Sequence, residues 1–331
     1  MDANGRKAFW DVLCSLDSYD DEALCKLKKA TPWPEELCRF RAVNESALLQ
    51  LQNNEQFFSS AVYYDDPFDS YFWIDFQALQ DGFCALRREF DQGDREKFKG
   101  YLKAFGFGTH LEEALQIMEF TNPNMDLLKL SLSDVRNLVR EQIYSICFCE
   151  NAMNEAIWLK YADQHKGFVQ TYDFNVPSTW LCGKEDKCAK CGIHISPPWI
   201  FPVYYANEMY NGTQYAMGLL IRDKLSKFLP SIPELGEKML LLSAVWQKER
   251  ISLIKKECHC YDQEWRMLLP TPYTNRPCIK LKPKSVIIGL RTPEYHRRLI
   301  ISAAKIAGIQ EIYQAVINEK NLLDKERIAE E

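Results

Sequence analysis

No run of apolar residues approaches the ~18 needed to cross a bilayer as a helix, and no internal repeat or low-complexity segment is found along the chain. Neither a membrane-spanning helix nor a repeat array is expected. The chain also lacks an excess of positive charge: 41 Lys and Arg against 46 Asp and Glu give a formal net charge of -5 and a pI near 5.7. No global positive field recruits nucleic acid or an acidic membrane, although a local basic patch stays open. The opening MDANGRKAFW lacks the basic segment and apolar run of a signal peptide, so the cytoplasm is the expected location. Twelve cysteines without a secretory signal point to reduced thiols or metal ligands in place of a disulfide framework. What the chain does have is 331 residues with 47% hydrophobic content, enough to fill the core of one large domain or two modest ones.

Apolar spacing over residues 6–29 predicts two helices broken near Asp17 and Ser18, stopped by the prolines of TPWPEEL. Leu37 to Ala42 reads as a strand with Arg39 and Arg41 on one face and Cys38, Phe40 and Ala42 on the other. Asn44 can cap a helix reaching about Leu51, and Gln56 to Ser60 returns as a strand. Phe72, Phe76, Leu79, Phe83 and Leu86 then form a helical core stripe. Residues 94–141 read as a helical insertion. Strands are predicted at Ile143–Cys149, Gly167–Tyr172, Trp199–Tyr205, Asp262–Leu269, Ile279–Leu281, Val286–Leu290 and Ile312–Val316. Helices fall at Asn154–Asp163, Gln214–Phe228, Pro233 to about Lys255 and Pro293–Ala307, and the charged tail from Glu319 reads as frayed or helical.

This irregular alternation favours an α+β fold with a mixed or antiparallel sheet over a doubly wound one. The expected organisation is N-terminal helices over 1–36, a single α+β domain over 37–317, and a charged tail over 318–331. Within the domain, 175–198 is rich in Cys, Lys, Gly and Pro, a loop that a metal could stabilise. Cys182, Cys188, Cys191 and His194 suit tetrahedral zinc, with Cys258, His259 and Cys260 as rival ligands. Free reduced cysteines are the alternative.

The stretch FFSSAVYYDDPFD at Phe57–Asp69 sets paired serines against aromatic surface and an acidic turn. Asp65, Asp66 and Asp69 suit either an oxygen-rich cation site or a turn in which Asp69 caps the next helix. RFRA at 39–42, ICFCEN at 146–151, IWLKYADQHKGF at 157–168, QEWRM at 263–267 and VIIGL at 286–290 follow in order with this stretch. Together they resemble the bacterial domain-of-unknown-function family numbered 2971, over about residues 37–317, with Asp65 in place of that family's usual Asn. More remotely, an arginine strand, an aromatic-Ser-Ser strand and a late Glu strand are similar in order to ADP-ribosyltransferases.

That remoter resemblance implies an ADP-ribosyltransferase-like fold consuming NAD, acting on an unidentified protein or nucleic acid in bacterial defence or stress response. Glu264 would stabilise an oxocarbenium-like ribose, Arg41 would hold the nucleotide with its planar fork, and Ser60, with Ser59 as alternative, would orient the substrate. Arg39, Phe58, Tyr63 and His165 would complete the cofactor wall. Each has a structural counterpart: Glu264 with Arg266 as a structural charged pair, Arg41 in a buried ion pair with the acidic turn, and the serines satisfying backbone groups. A non-enzymatic nucleotide- or partner-binding sensor, and a metal-dependent hydrolase using Asp65, Asp66, Asp69 and Glu264, are the other readings.

Overall fold

The computed structural model describes residues 1–18, 20–32, 34–91, 125–174, 178–181, 194–195, 199–216, 218–219, 246–269 and 277–328. Local chemistry sets where its helices begin. Asp2 and Asp20 accept the orphan N–H groups that open α1 (Ala3–Ser15) and α2 (Asp21–Ala30). Asn44 does the same for α3 (Glu45–Gln52), and Asp75 for α4 (Phe76–Asp91). After α5 (Met125–Gln142), Asn154 caps α6 (Glu155–Tyr161). Each such cap is worth ~1 kcal/mol and fixes the entry of the helix. Two more helices are α7 (Gln247–Ser252) and α8 (Glu294–Ile306), and residues 213–216 and 218–219 are helical as well.

The strands are β1 (Leu37–Arg41), β2 (Glu55–Phe57), β3 (Ser59–Ser60), β4 (Tyr144–Cys149), β5 (Phe168–Tyr172), β6 (Ser178–Leu181), β7 (His194–Ile195), β8 (Ile200–Pro202), β9 (Tyr204–Ala206), β10 (Ile254–Lys256), β11 (Glu264–Leu269), β12 (Cys278–Lys280), β13 (Ser285–Ile288), β14 (Glu311–Ile317) and β15 (Leu323–Arg327). Nine form the main sheet in the order β15-β14-β13-β5-β1-β4-β11-β8, with β3 also on β4. All its pairings are antiparallel except β13 with β14. A second sheet runs β2-β12-β6-β7, and β9 pairs with β10 in parallel. The α+β class and the mixed sheet expected from sequence are observed. Among the described residues no helix is long and apolar enough to cross a membrane.

Register assigns every side chain to a face, because direct cross-strand partners point the same way. Cys38 lies opposite Cys149, and Cys149 opposite Glu264. On this first face β1 and β4 pack under α6 through Phe40, Ile157 and Trp158, and β8 packs under α1 and α2 through Phe201, Phe9 and Leu27. The second face carries Leu37, Phe148, Tyr172 and Trp265. It packs against Phe58, Ile279 and Leu281 of the second sheet and its flanks. Further along, Phe168, Val286 and Ile288 pack under α3 and α8.

Several sequence expectations are corrected. Gln56–Ser60 is two strands in different sheets with Phe58 alone between them, and Trp199–Tyr205 likewise splits at Val203. Lys255 belongs to β10, not to the end of a long helix. The tail is an edge strand, β15, paired to β14. Phe72 precedes α4, and Asp75 caps that helix where Asp69 was expected to. Residues 94–124 of the expected helical insertion and most of the Cys-rich loop lie outside the described residues.

The turn before β5 locks the arginine strand in place. Asp163, Gln164 and His165 all adopt positive φ, and Gly167 follows so close to β1 that an added Cβ would stand 2.1 Å from the Arg41 carbonyl oxygen. Gly167→Ala is therefore expected to destabilise by about 2–3 kcal/mol, measured as a fall in the urea midpoint at constant m-value.

Candidate functional site

Polar groups collect on both faces of the main sheet, and their electrostatics differ. On the first face, Arg266 of β11 is 1% exposed and donates from Nη1 and Nη2 to the two Asp69 carboxylate oxygens at 2.8 and 2.6 Å. Its Nε reaches Glu264 Oε1 at 2.7 Å and its Nη1 the Ser252 carbonyl at 2.7 Å. Lys255 Nζ adds contacts to Asp262 Oδ2 at 2.8 Å, Glu264 Oε2 at 3.1 Å and Asp69 Oδ2 at 3.6 Å. Alternation explains the pairing of Glu264 with Arg266, since residues two apart share a face. Positive φ at Ser70 and Gln263 bends the two flanking segments toward the cluster.

Burial would raise the Glu264 carboxyl, yet Arg266 and Lys255 outweigh it and hold that group far below the ordinary carboxylate range. Burial likewise works to lower Lys255, and Glu264 and Asp69 overcome it, so Lys255 stays a cation. With Lys160 Nζ 3.9 Å from Asp262 Oδ2, three cations meet three carboxylates in a neutralising network with little exposed surface. At its outer end His259 Nε2 meets Asp66 Oδ2 at 3.3 Å, Asp66 accepts from the Phe68 N–H to form the turn, and Phe68 and Tyr261 stand exposed.

On the second face, Arg39 and Arg41 share a side of β1, with Gln170 directly opposite Arg39 and Tyr172 further along. Arg39 Nη1 donates to Gln56 Oε1 at 2.5 Å. Among the described residues neither guanidinium meets a carboxylate. Burial, and then Arg39 beside it, pushes Arg41 down to about 9. Gln56, Gln170 and Tyr172 are at most 1% exposed, and among the described residues their Nε2, Nε2 and Oη atoms have no hydrogen-bond partner.

The expected single wall of Arg41, Ser60 and Glu264 is not formed. Arg41 and Glu264 occupy opposite faces. Ser60 is buried, its Oγ donating to the Arg140 carbonyl at 3.2 Å, so it anchors the end of α5. The ion pair expected between Arg41 and the acidic turn is made instead by Arg266. Of the remaining cofactor-wall residues, Phe58 is in the inter-sheet core, Ser59 and Tyr63 are exposed, and His165 stacks on Trp158 at 5.7 Å with burial lowering its pKa.

Cys182, Cys188 and Cys191 lie outside the described residues, and His194 is described only as part of β7. Cys258 and Cys260 are exposed free thiols. Among the described residues no three His, Cys, Asp or Glu side chains group as a metal site. Sequence reasoning missed Lys255, hidden in a run read as helix, and Gln56, Gln170 and Tyr172. The signal for the last two was there in FVQTY, where a glutamine and a tyrosine alternate onto one face. Comparison with family models finds no match, and comparisons with curated proteins and with solved structures find none either.

The pKa shifts fix the sign of the pH dependence. Glu264 is depressed when folded, so its contribution is present above about pH 4.5 and is lost as pH falls toward its folded value. Lys255 is raised, so its contribution is complete below about pH 10.5 and fades above it. Unfolding free energy is expected to hold between these limits and fall on both sides. Glu264→Gln should lower the plateau by ~3–5 kcal/mol and flatten the acid limb, as read by chemical denaturation across pH.

Proposed function

We propose that this protein binds an anionic small molecule at Arg39 and Arg41 without turning it over, a nucleotide being the class that the sequence resemblance implies. The observation that carries this reading is Arg41, a largely buried guanidinium facing no carboxylate among the described residues. A buried cation without counter-charge costs several kcal/mol, and such a violation of ordinary packing chemistry is characteristic of a functional site. The unpartnered donors of Gln56, Gln170 and Tyr172 beside the arginine pair are what an acceptor-rich ligand would use. Binding is favoured over ADP-ribosyl transfer because the carboxylate meant to stabilise the ribose cation faces the other side of the sheet. Both Glu264 oxygens are already held by Arg266 and Lys255.

Calorimetric titration with ADP, paired with thermal denaturation, tests this. Arg41→Met is expected to weaken binding by at least about tenfold while leaving the ligand-free protein as stable or ~1–2 kcal/mol more stable, because an uncompensated charge is removed. Glu264→Gln should lose stability and keep the affinity. Affinity lost in Glu264→Gln and kept in Arg41→Met overturns the reading, as does the absence of any binding.

A further inference from the structure

We propose that Cys38 and Cys149 are a redox-active pair that a hydroperoxide converts to a cross-strand disulfide joining β1 to β4. The two residues are direct antiparallel partners, and Cys38 Sγ lies 3.0 Å from the Cys149 carbonyl oxygen. Cys149 Sγ in turn donates to the Asn151 carbonyl at 3.6 Å. Directly opposed strand residues hold their Cβ atoms ~4.5–5.5 Å apart, whereas a relaxed disulfide wants ~3.8 Å. Closing the bridge therefore draws the strands together and stores strain, which makes the bond readily reducible and reversible.

The two thiols have different parts. The neighbouring Cys38 thiol lowers the Cys149 pKa, and Cys149, though itself buried, ends β4 two residues before the exposed Asn151. Burial raises the Cys38 thiol. Cys149 as thiolate attacks the peroxide: an S–O bond forms, the O–O bond breaks, and the departing oxygen takes a proton to leave as water or alcohol. Cys38 sulfur then attacks the Cys149 sulfenic acid, forming S–S and breaking S–O, with the Cys38 proton leaving in a second water. Two thiols give up two electrons and the peroxide accepts them. Cys147, on the same face of β4, takes no part, because burial and Glu264 push its thiol up to about 12. The pair lies on the opposite side of β1 from Arg39 and Arg41, so the bridge would form without occupying the anion wall.

Hydrogen peroxide is added to the native full-length protein, followed by alkylation, digestion and mass spectrometry. A linked Cys38–Cys149 peptide that a dithiol opens is the expected product. In Cys38→Ser the cross-link is absent and Cys149 is trapped as sulfenic acid by dimedone; Cys147→Ser cross-links like the parent. Recovery of Cys38 and Cys149 as free thiols while exposed Cys258 and Cys260 are oxidised overturns the proposal. So does a cross-link that appears only in denaturant, or one that pairs Cys149 with Cys147.

Discussion

The bidentate grip of Arg266 on Asp69 is the interaction on which the architecture turns. It ties the acidic turn to β11, the last strand but one of the main sheet, 197 residues away in sequence. Neither partner tolerates such burial alone; an isolated ion in a low-dielectric interior is far costlier than the mutual attraction can offset unless the remaining oxygens and protons are also satisfied. Glu264, Lys255, Asp262 and the Ser252 carbonyl provide that satisfaction. The acidic turn, the β9–β10 ribbon and the 3-10 turn Glu257–Asp262 are thereby gathered at one end of β11. An apolar replacement could be as stable, so the network's contribution is specificity of arrangement as much as energy.

Against that neutralised face, the second face carries two cations that meet no carboxylate among the described residues. One sheet separates a site where charge is balanced from one where it is not. The low dielectric that strengthens the first penalises the second. This contrast argues for a ligand more directly than any single residue does, because the same chain demonstrates that it can supply carboxylates where buried cations need them.

How much of this was legible follows from the range of each interaction. Alternation within a strand is local, so the pairing of Arg39 with Arg41 on one side of LCRFR, and of Glu264 with Arg266 in EWRM, could be read directly. Caps at Asn44 and Asn154 are equally local. What could not be read is the relation between strands: whether Arg41 and Glu264 face each other is fixed by the Cys38–Cys149 register, a contact across more than a hundred residues with no periodic signature. Lys255 fell to the same limit, since an apolar run before it suggests helix until β9 arrives to pair with it. The tail's charges masked β15, an edge strand in which exposed Lys and Glu guard against pairing with other chains.

A single residue, Phe58, passes the chain from the second sheet to the main one, and Val203 does the same between the main sheet and the β9–β10 ribbon. Adjacent Cα atoms are only ~3.8 Å apart, so at each crossing the two layers are held within a residue or two of one another. Gln56, which reaches Arg39 from β2, stands two residues from the Phe58 crossing, so the join between the two sheets also sets the spacing of the groups that face the arginine pair.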